Sequence, residues 1–236
     1  MSVYQIVLFV HGTLGALALG SYWIAALARK GSGPHKLAGK VYVLVMLGVL
    51  IPALPLAVRV LEKSAVFGAF FFYLLLITGT SVWQGWFAVR NKRDFARYAG
   101  PGFRRIAWAN IVGGVVILAL GAAKLQPVLL GFSAVGVLGG RGMLKLARTG
   151  PVHPRWWMGE HLGAMLGCGV ATHIAFLLIG LPRLLPGLGG ASLQMLGWLG
   201  PLAVAFVARR WLGRKYLPQL AGESPTASMA LPGDAR

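Results

Sequence analysis

"AVFGAFFFYLLLITGTSVWQGWFA", residues Ala65–Ala88, runs for twenty-four positions without a charged side chain. The hydrocarbon core of a bilayer is about 30 Å thick, and about 20 residues of α-helix cross it. Backbone polar groups inside that core must bond within their own segment, so such a stretch crosses as a helix. Six other apolar stretches flank it. They predict spans at Val3–Leu27, Lys40–Leu61, Arg105–Ala123, Pro127–Leu146, Trp157–Leu181 and Ala191–Leu212. The fifth in chain order, Pro127–Leu146, is the weakest, because Arg141 and Lys145 fall in its last turns. Their long side chains can reach back to the interface.

The composition agrees with this reading. Of 236 residues, 57% are hydrophobic and 12% charged, and mean hydropathy is +0.70. A soluble domain carries about 25% charged residues. The alternating strands of a transmembrane barrel are missing from the sequence. The first apolar stretch begins near Ser2, with no basic residue before it. It is too long for the core of a signal peptide, so we expect a retained first span. The expected fold is therefore an all-α, polytopic transmembrane bundle of seven spans, with an integral membrane domain over residues 1–215. The tail, residues 216–236, is rich in Ser, Pro, Gly and Ala and is expected to be disordered.

The charges then fall into order. The net charge is +18, from 23 Lys and Arg against 5 Asp and Glu. Eighteen of the basic residues follow spans one, three, five and seven, as in Arg29, Lys30, Arg90, Arg141 and Arg209. Only Arg59, Lys63, Lys124 and Arg183 fall on the opposite side. Cytoplasmic loops carry the excess of Lys and Arg. The N-terminus is thus expected outside and the C-terminus in the cytoplasm, in a bacterial cytoplasmic (inner) membrane. Such a charge points to anionic lipid headgroups as partners and away from nucleic acid.

Ionisable residues within apolar spans are costly and mark sites. Here they are His11, Glu160, His161 and His173, with Gln5, Gln84 and Asn110 as uncharged companions. Counted from the expected helix ends, His11 and His173 both lie about 12 Å below the outer surface. A facing pair of neutral imidazoles suits a haem iron or a transition-metal ion. His161 and His173 are twelve residues apart, about 18 Å along one helix, so they cannot share an ion. An inner pair would join His161 to His35, in the loop after span one, or to His153, before span six. Glu160 lines up with Ala164, Gly167 and Ala171, with Gly163 alongside. This small-residue ridge admits a close helix neighbour. Glu160 is expected to serve a proton relay with His161 or a structural ion pair, with Arg155, Arg141 or His161 as partner.

Other chemistry finds little support. There is no Gly-x-Ser-x-Gly, His-Glu-x-x-His or Walker pattern. Cys168 is the single cysteine, which rules out an intrachain disulfide and a cysteine-based cluster. No catalytic residue is assigned. Trp156, Trp157 and Trp211 lie beside basic residues, where indoles anchor a helix at the interface.

One stretch carries a family likeness. His11, Gly15, Lys30, Gly31, His35, Lys36, Gly39, Lys40 and Tyr42 form a pattern: a histidine early in the first span, a basic-Gly turn, then "His-basic-x-x-Gly-basic-x-Tyr". It resembles a bacterial family of membrane proteins known as domain of unknown function 2306. The later span holding His161 and His173 looks similar too. The resemblance implies a membrane protein and brings no activity with it.

Three functions follow from the residues. The first is electron transfer through haem b or a metal ion, held by His11 and His173, with His161 and His35 as an inner pair. A quinone or a redox partner protein would exchange the electrons. The second is transport of a small molecule, ion or proton, with the same histidines and Glu160 as protonatable groups. The third is an accessory membrane subunit whose histidines lock helices together.

Overall fold

The computed structural model describes residues 2–185, 187 and 190–217. The helices are α1 (Val3–Leu27), α2 (Gly33–Lys63), α3 (Ala65–Arg90), a short α4 (Phe95–Tyr98), α5 (Pro101–Ala123), α6 (Pro127–Thr149) and α7 (Trp156–Ala175). A π-helical turn, Phe176–Gly180, extends α7 into the short α8 (Leu181–Leu184), and α9 is Ala191–Tyr216. Counting Trp156–Leu184 as one, seven helices are long and apolar enough to cross a membrane. The chain is an all-helical, multi-pass membrane protein. The tail beyond Leu217, expected to be disordered, lies outside the described residues.

The helix starts follow from local capping. Ser2 and Gln5 form a reciprocal capping box on α1, which explains Gln5 without any site. Ser32 caps α2, with Pro34 in the first turn. Proline suits that position because the missing N–H has no helical partner there anyway. As a result α2 begins seven residues before the expected Lys40. His35 therefore stands on a helix and not in a loop. Likewise α6 runs on to Thr149, so Arg141 and Lys145 belong to its body.

The centre of the bundle is the pair α3 and α7. The α1–α2 hairpin packs on it from one side and the α5–α6 hairpin from another, while α9 lies against α7 and α6. The turns after α1, α3 and α6 and the end of α9 share one end of the bundle, called here the basic end. Large apolar side chains such as Leu17, Leu44, Leu54, Val112 and Val204 point outward, as a lipid-facing surface requires.

Between α5 and α6 the backbones nearly touch. A Cβ on Gly140 would stand 2.5 Å from the Ala107 carbonyl oxygen, and one on Gly114 2.8 Å from that of Ser133. Gly136 and Gly140 form a Gly-x-x-x-Gly pair, which permits such an approach. Beside it, the Tyr73 hydroxyl enters the hydrogen-bond ladder of α6. It donates to the Phe132 carbonyl at 2.8 Å and accepts from the Gly136 N–H at 2.8 Å. Those two groups, four residues apart, would otherwise bond each other.

Gly140→Ala is expected to cost about 1–3 kcal/mol, since overpacking against fixed backbone forces a shift. The adjacent Gly139 faces open space, so Gly139→Ala should leave stability unchanged or slightly raised. Unfolding of both variants in detergent micelles checks this, and equal loss in the two would refute the close α5–α6 contact.

Candidate functional site

Four histidines share one chemical state. The Nδ1–H of His11 donates to the Val49 carbonyl at 3.1 Å, that of His35 to Ala25 at 2.9 Å. His161 donates to Gly85 at 2.9 Å, and His173 to Gly169 at 2.7 Å. A carbonyl oxygen only accepts, so Nδ1 must hold the proton in each ring. In the neutral form Nε2 is then the lone-pair nitrogen, as it is in metal-bound histidines whose second nitrogen is held by a carbonyl. His153 differs. Its Nδ1 accepts the Arg155 N–H at 3.0 Å and helps turn the chain into α7.

His11 and His173, expected at one depth, meet different partners. Two prolines, Pro52 and Pro55, interrupt α2 near the His11 contact. Proline at 52 leaves the Gly48 carbonyl without its helical N–H, and His11 binds the next carbonyl along. His173 instead lies against α1 four residues from its other end. The Trp23 indole N–H donates to its Nε2 at 3.1 Å, which occupies the lone pair. Trp23 is twelve residues beyond His11, about 18 Å along α1. The depth estimate fails because the α7–α8 helix is 29 residues long. At about 43 Å it exceeds the bilayer core, so a count from an assumed end does not give depth. Spans one and six are neighbours nonetheless: a Cβ on Gly169 would strike Tyr22 of α1.

The inner pair does come together. The rings of His35 on α2 and His161 on α7 have centroids 6.4 Å apart and stand nearly perpendicular, at 84°. Lys30 belongs to the same corner. Its ammonium donates to the Ala25 and Ala26 carbonyls at the end of α1 and lies within electrostatic reach of His161. Burial, and then the neighbouring Lys215 ammonium, push Lys30 below the usual lysine range. Among the described residues no three His, Cys, Asp or Glu side chains are placed to hold one metal ion.

Glu160 precedes His161 and points elsewhere, because successive residues on a helix diverge by about 100°. Its carboxylate accepts the Tyr98 hydroxyl at 2.8 Å. Tyr98, on α4, is fully buried, between Trp83, Phe103 and Trp156. Burial, and then the Glu160 carboxylate, push its phenol well above the ordinary tyrosine value. It therefore stays protonated and acts as the donor. Arg209 of α9 lies within electrostatic reach of Glu160. None of the expected partners, Arg155, Arg141 or His161, fills this role. The small-residue ridge meets α3: Ala164 packs on Gly85, and a Cβ on Gly167 would stand 2.8 Å from Ser81 Oγ.

Sequence reasoning missed Tyr98, Trp23 and Arg209. Tyr98 lies in the most basic connection, where nothing in the pattern marks burial. No family model, curated protein or solved structure matches the chain.

Tyr98→Phe should keep the ring packing and leave Glu160 without its donor. The expected cost is about 1–3 kcal/mol, the price of an unpaired buried polar group. Denaturant unfolding in micelles measures it; unchanged stability would show that the carboxylate does not depend on this bond.

Proposed function

We propose that the protein is a membrane redox carrier in which His35 and His161 ligate one haem b. The observation that carries this is the meeting of two imidazoles from different helices, each with Nδ1–H tied to a carbonyl. Two imidazoles bound through Nε2 at about 2 Å on opposite faces of one metal put their ring centres about 6 Å apart. The separation here is 6.4 Å. A T-shaped ring contact falls in the same range, so spectroscopy decides between the two.

The ligand set favours haem over a bare ion. A tetrahedral zinc site takes three or four protein ligands, whereas a haem iron needs only its axial pair. The local charge points the same way. Lys30 and Lys215 repel a free dication but suit the two propionates of a haem. A quinone or a redox protein would exchange electrons at this end. His11 and His173, which meet separate partners on α2 and α1, are assigned to helix locking.

One observation favours a second reading, proton or ion transport. Glu160, hydrogen-bonded to Tyr98, and His161, hydrogen-bonded to Gly85, are two protonatable groups at the basic end. In that case pH-dependent flux in proteoliposomes should fall with Glu160→Gln.

Protein purified from haem-replete bacterial cells should show a Soret band. His35→Ala and His161→Ala should abolish it, while His11→Ala and His173→Ala retain it. A band lost only in the outer pair would move the site. A colourless preparation, with metal found by elemental analysis and lost in His35→Ala, would replace haem with a metal ion. A colourless, metal-free preparation overturns the proposal. The proposed location is a bacterial inner membrane, with the basic end cytoplasmic. A fluorescent protein fused after Lys215 should then be bright and alkaline phosphatase at the same point inactive; the opposite result reverses the orientation.

A further inference from the structure

We infer that the cleft between α7 and α9 at the basic end binds the phosphate of an anionic phospholipid. The cleft measures 370 Å³, and its walls include Arg209, Arg210, Arg214, Leu162, Phe206 and Leu217. Three arginines of one helix line the same cleft. Arg210 and Arg214 are four residues apart, a spacing at which like charges repel unless an anion lies between them. The Arg209 guanidinium lies directly over Gly163 of α7, where any Cβ would clash with it. Arg210 rests on the Phe206 ring, 4.2 Å from its centroid. The forks are thus partly held in place, which suits bidentate binding of phosphate oxygens.

The protein's own carboxylates are committed elsewhere. Among the described residues they are Glu62, Asp94 and Glu160. Glu62 pairs with Arg59 at 3.2 Å, Asp94 caps α4, and Glu160 takes the Tyr98 hydroxyl. Among the described residues no carboxylate forms an ion pair with the three arginines, and a bound anion would balance them. A lipid source fits better than free phosphate because the cleft lies at the end of a membrane span and has apolar walls. Phe206 and Trp211 beside it are exposed, and Lys215 covers the Trp211 ring. An acyl chain would run along Leu162 and Phe206 while the phosphate takes the arginines. This inference does not depend on the haem reading.

The test is native mass spectrometry of the whole protein in detergent, titrated with phosphatidylglycerol, phosphatidylcholine or inorganic phosphate. The R209Q/R210Q/R214Q protein is compared with R141Q/R148Q/R155Q, which removes three cations from the same end. Wild type should retain phosphatidylglycerol over phosphatidylcholine, and the α9 triple variant should lose at least about tenfold in that affinity. The other triple variant should change it by less than about twofold. If the α9 triple variant does not fold, R210Q and R214Q singly carry the test, since both side chains are exposed. Equal loss in the two triple variants would show only a diffuse basic interface and overturn the site. Displacement of the lipid by millimolar inorganic phosphate would overturn the lipid assignment in favour of a free phosphate ligand.

Discussion

The close approach of α7 to α3 governs the basic end of this bundle. Packed helices ordinarily stand 8–10 Å apart. Here Gly85 and Gly167 remove the side chains that would hold the two axes apart, and Ala164 and Ser81 fill the gap. Two results follow from the one contact. His161 reaches the Gly85 carbonyl and is fixed with Nε2 available. Glu160, one residue earlier, is swung round toward α4 and Tyr98. A bulkier residue at 85 or 167 would change the position of both groups together. The polar chemistry of this end therefore rests on small apolar residues that do no chemistry themselves.

The histidines illustrate how a membrane interior constrains protonation. Each ring must place one N–H on an acceptor, and in a helix bundle the acceptors at hand are backbone carbonyls. Such bonds between helices contribute about 0.6 kcal/mol on average, up to about 1.7, so they lock neighbours only weakly. Their chemical effect is larger than their energy. They fix the tautomer, and thereby decide which nitrogen faces a partner. For His173 that nitrogen is taken by Trp23. The His35 and His161 rings stand 6.4 Å apart, whereas His11 and His173 do not meet.

Much of this was legible in the sequence, and the rest failed for identifiable reasons. All seven spans follow from long apolar runs, and the observed helices contain or nearly match them. The small-residue ridge on α7 announced a close neighbour, and α3 is that neighbour. By contrast, Gly31-Ser32-Gly33-Pro34 reads as a break, yet Ser32 is a cap and Pro34 begins the next helix. That misreading put His35 in a loop. The depth of His173 was misjudged because residue counts measure distance along a helix and not along the membrane normal. The Glu160–Tyr98 bond joins residues 62 positions apart, and no periodicity encodes it. Gly136-x-x-x-Gly140 went unread, although its spacing is the kind that permits a tight helix contact.

Charge links the two ends of the argument. Arg209 is felt by Glu160 on one side and opens into the α7–α9 cleft on the other. Glu160 is covalently adjacent to His161, and its second stabilising contact is the neutral Tyr98 hydroxyl. A basic end of this kind is thus more than an orientation signal. Its cations pack against α7, with the Arg209 guanidinium over Gly163, about one turn from Glu160 and His161.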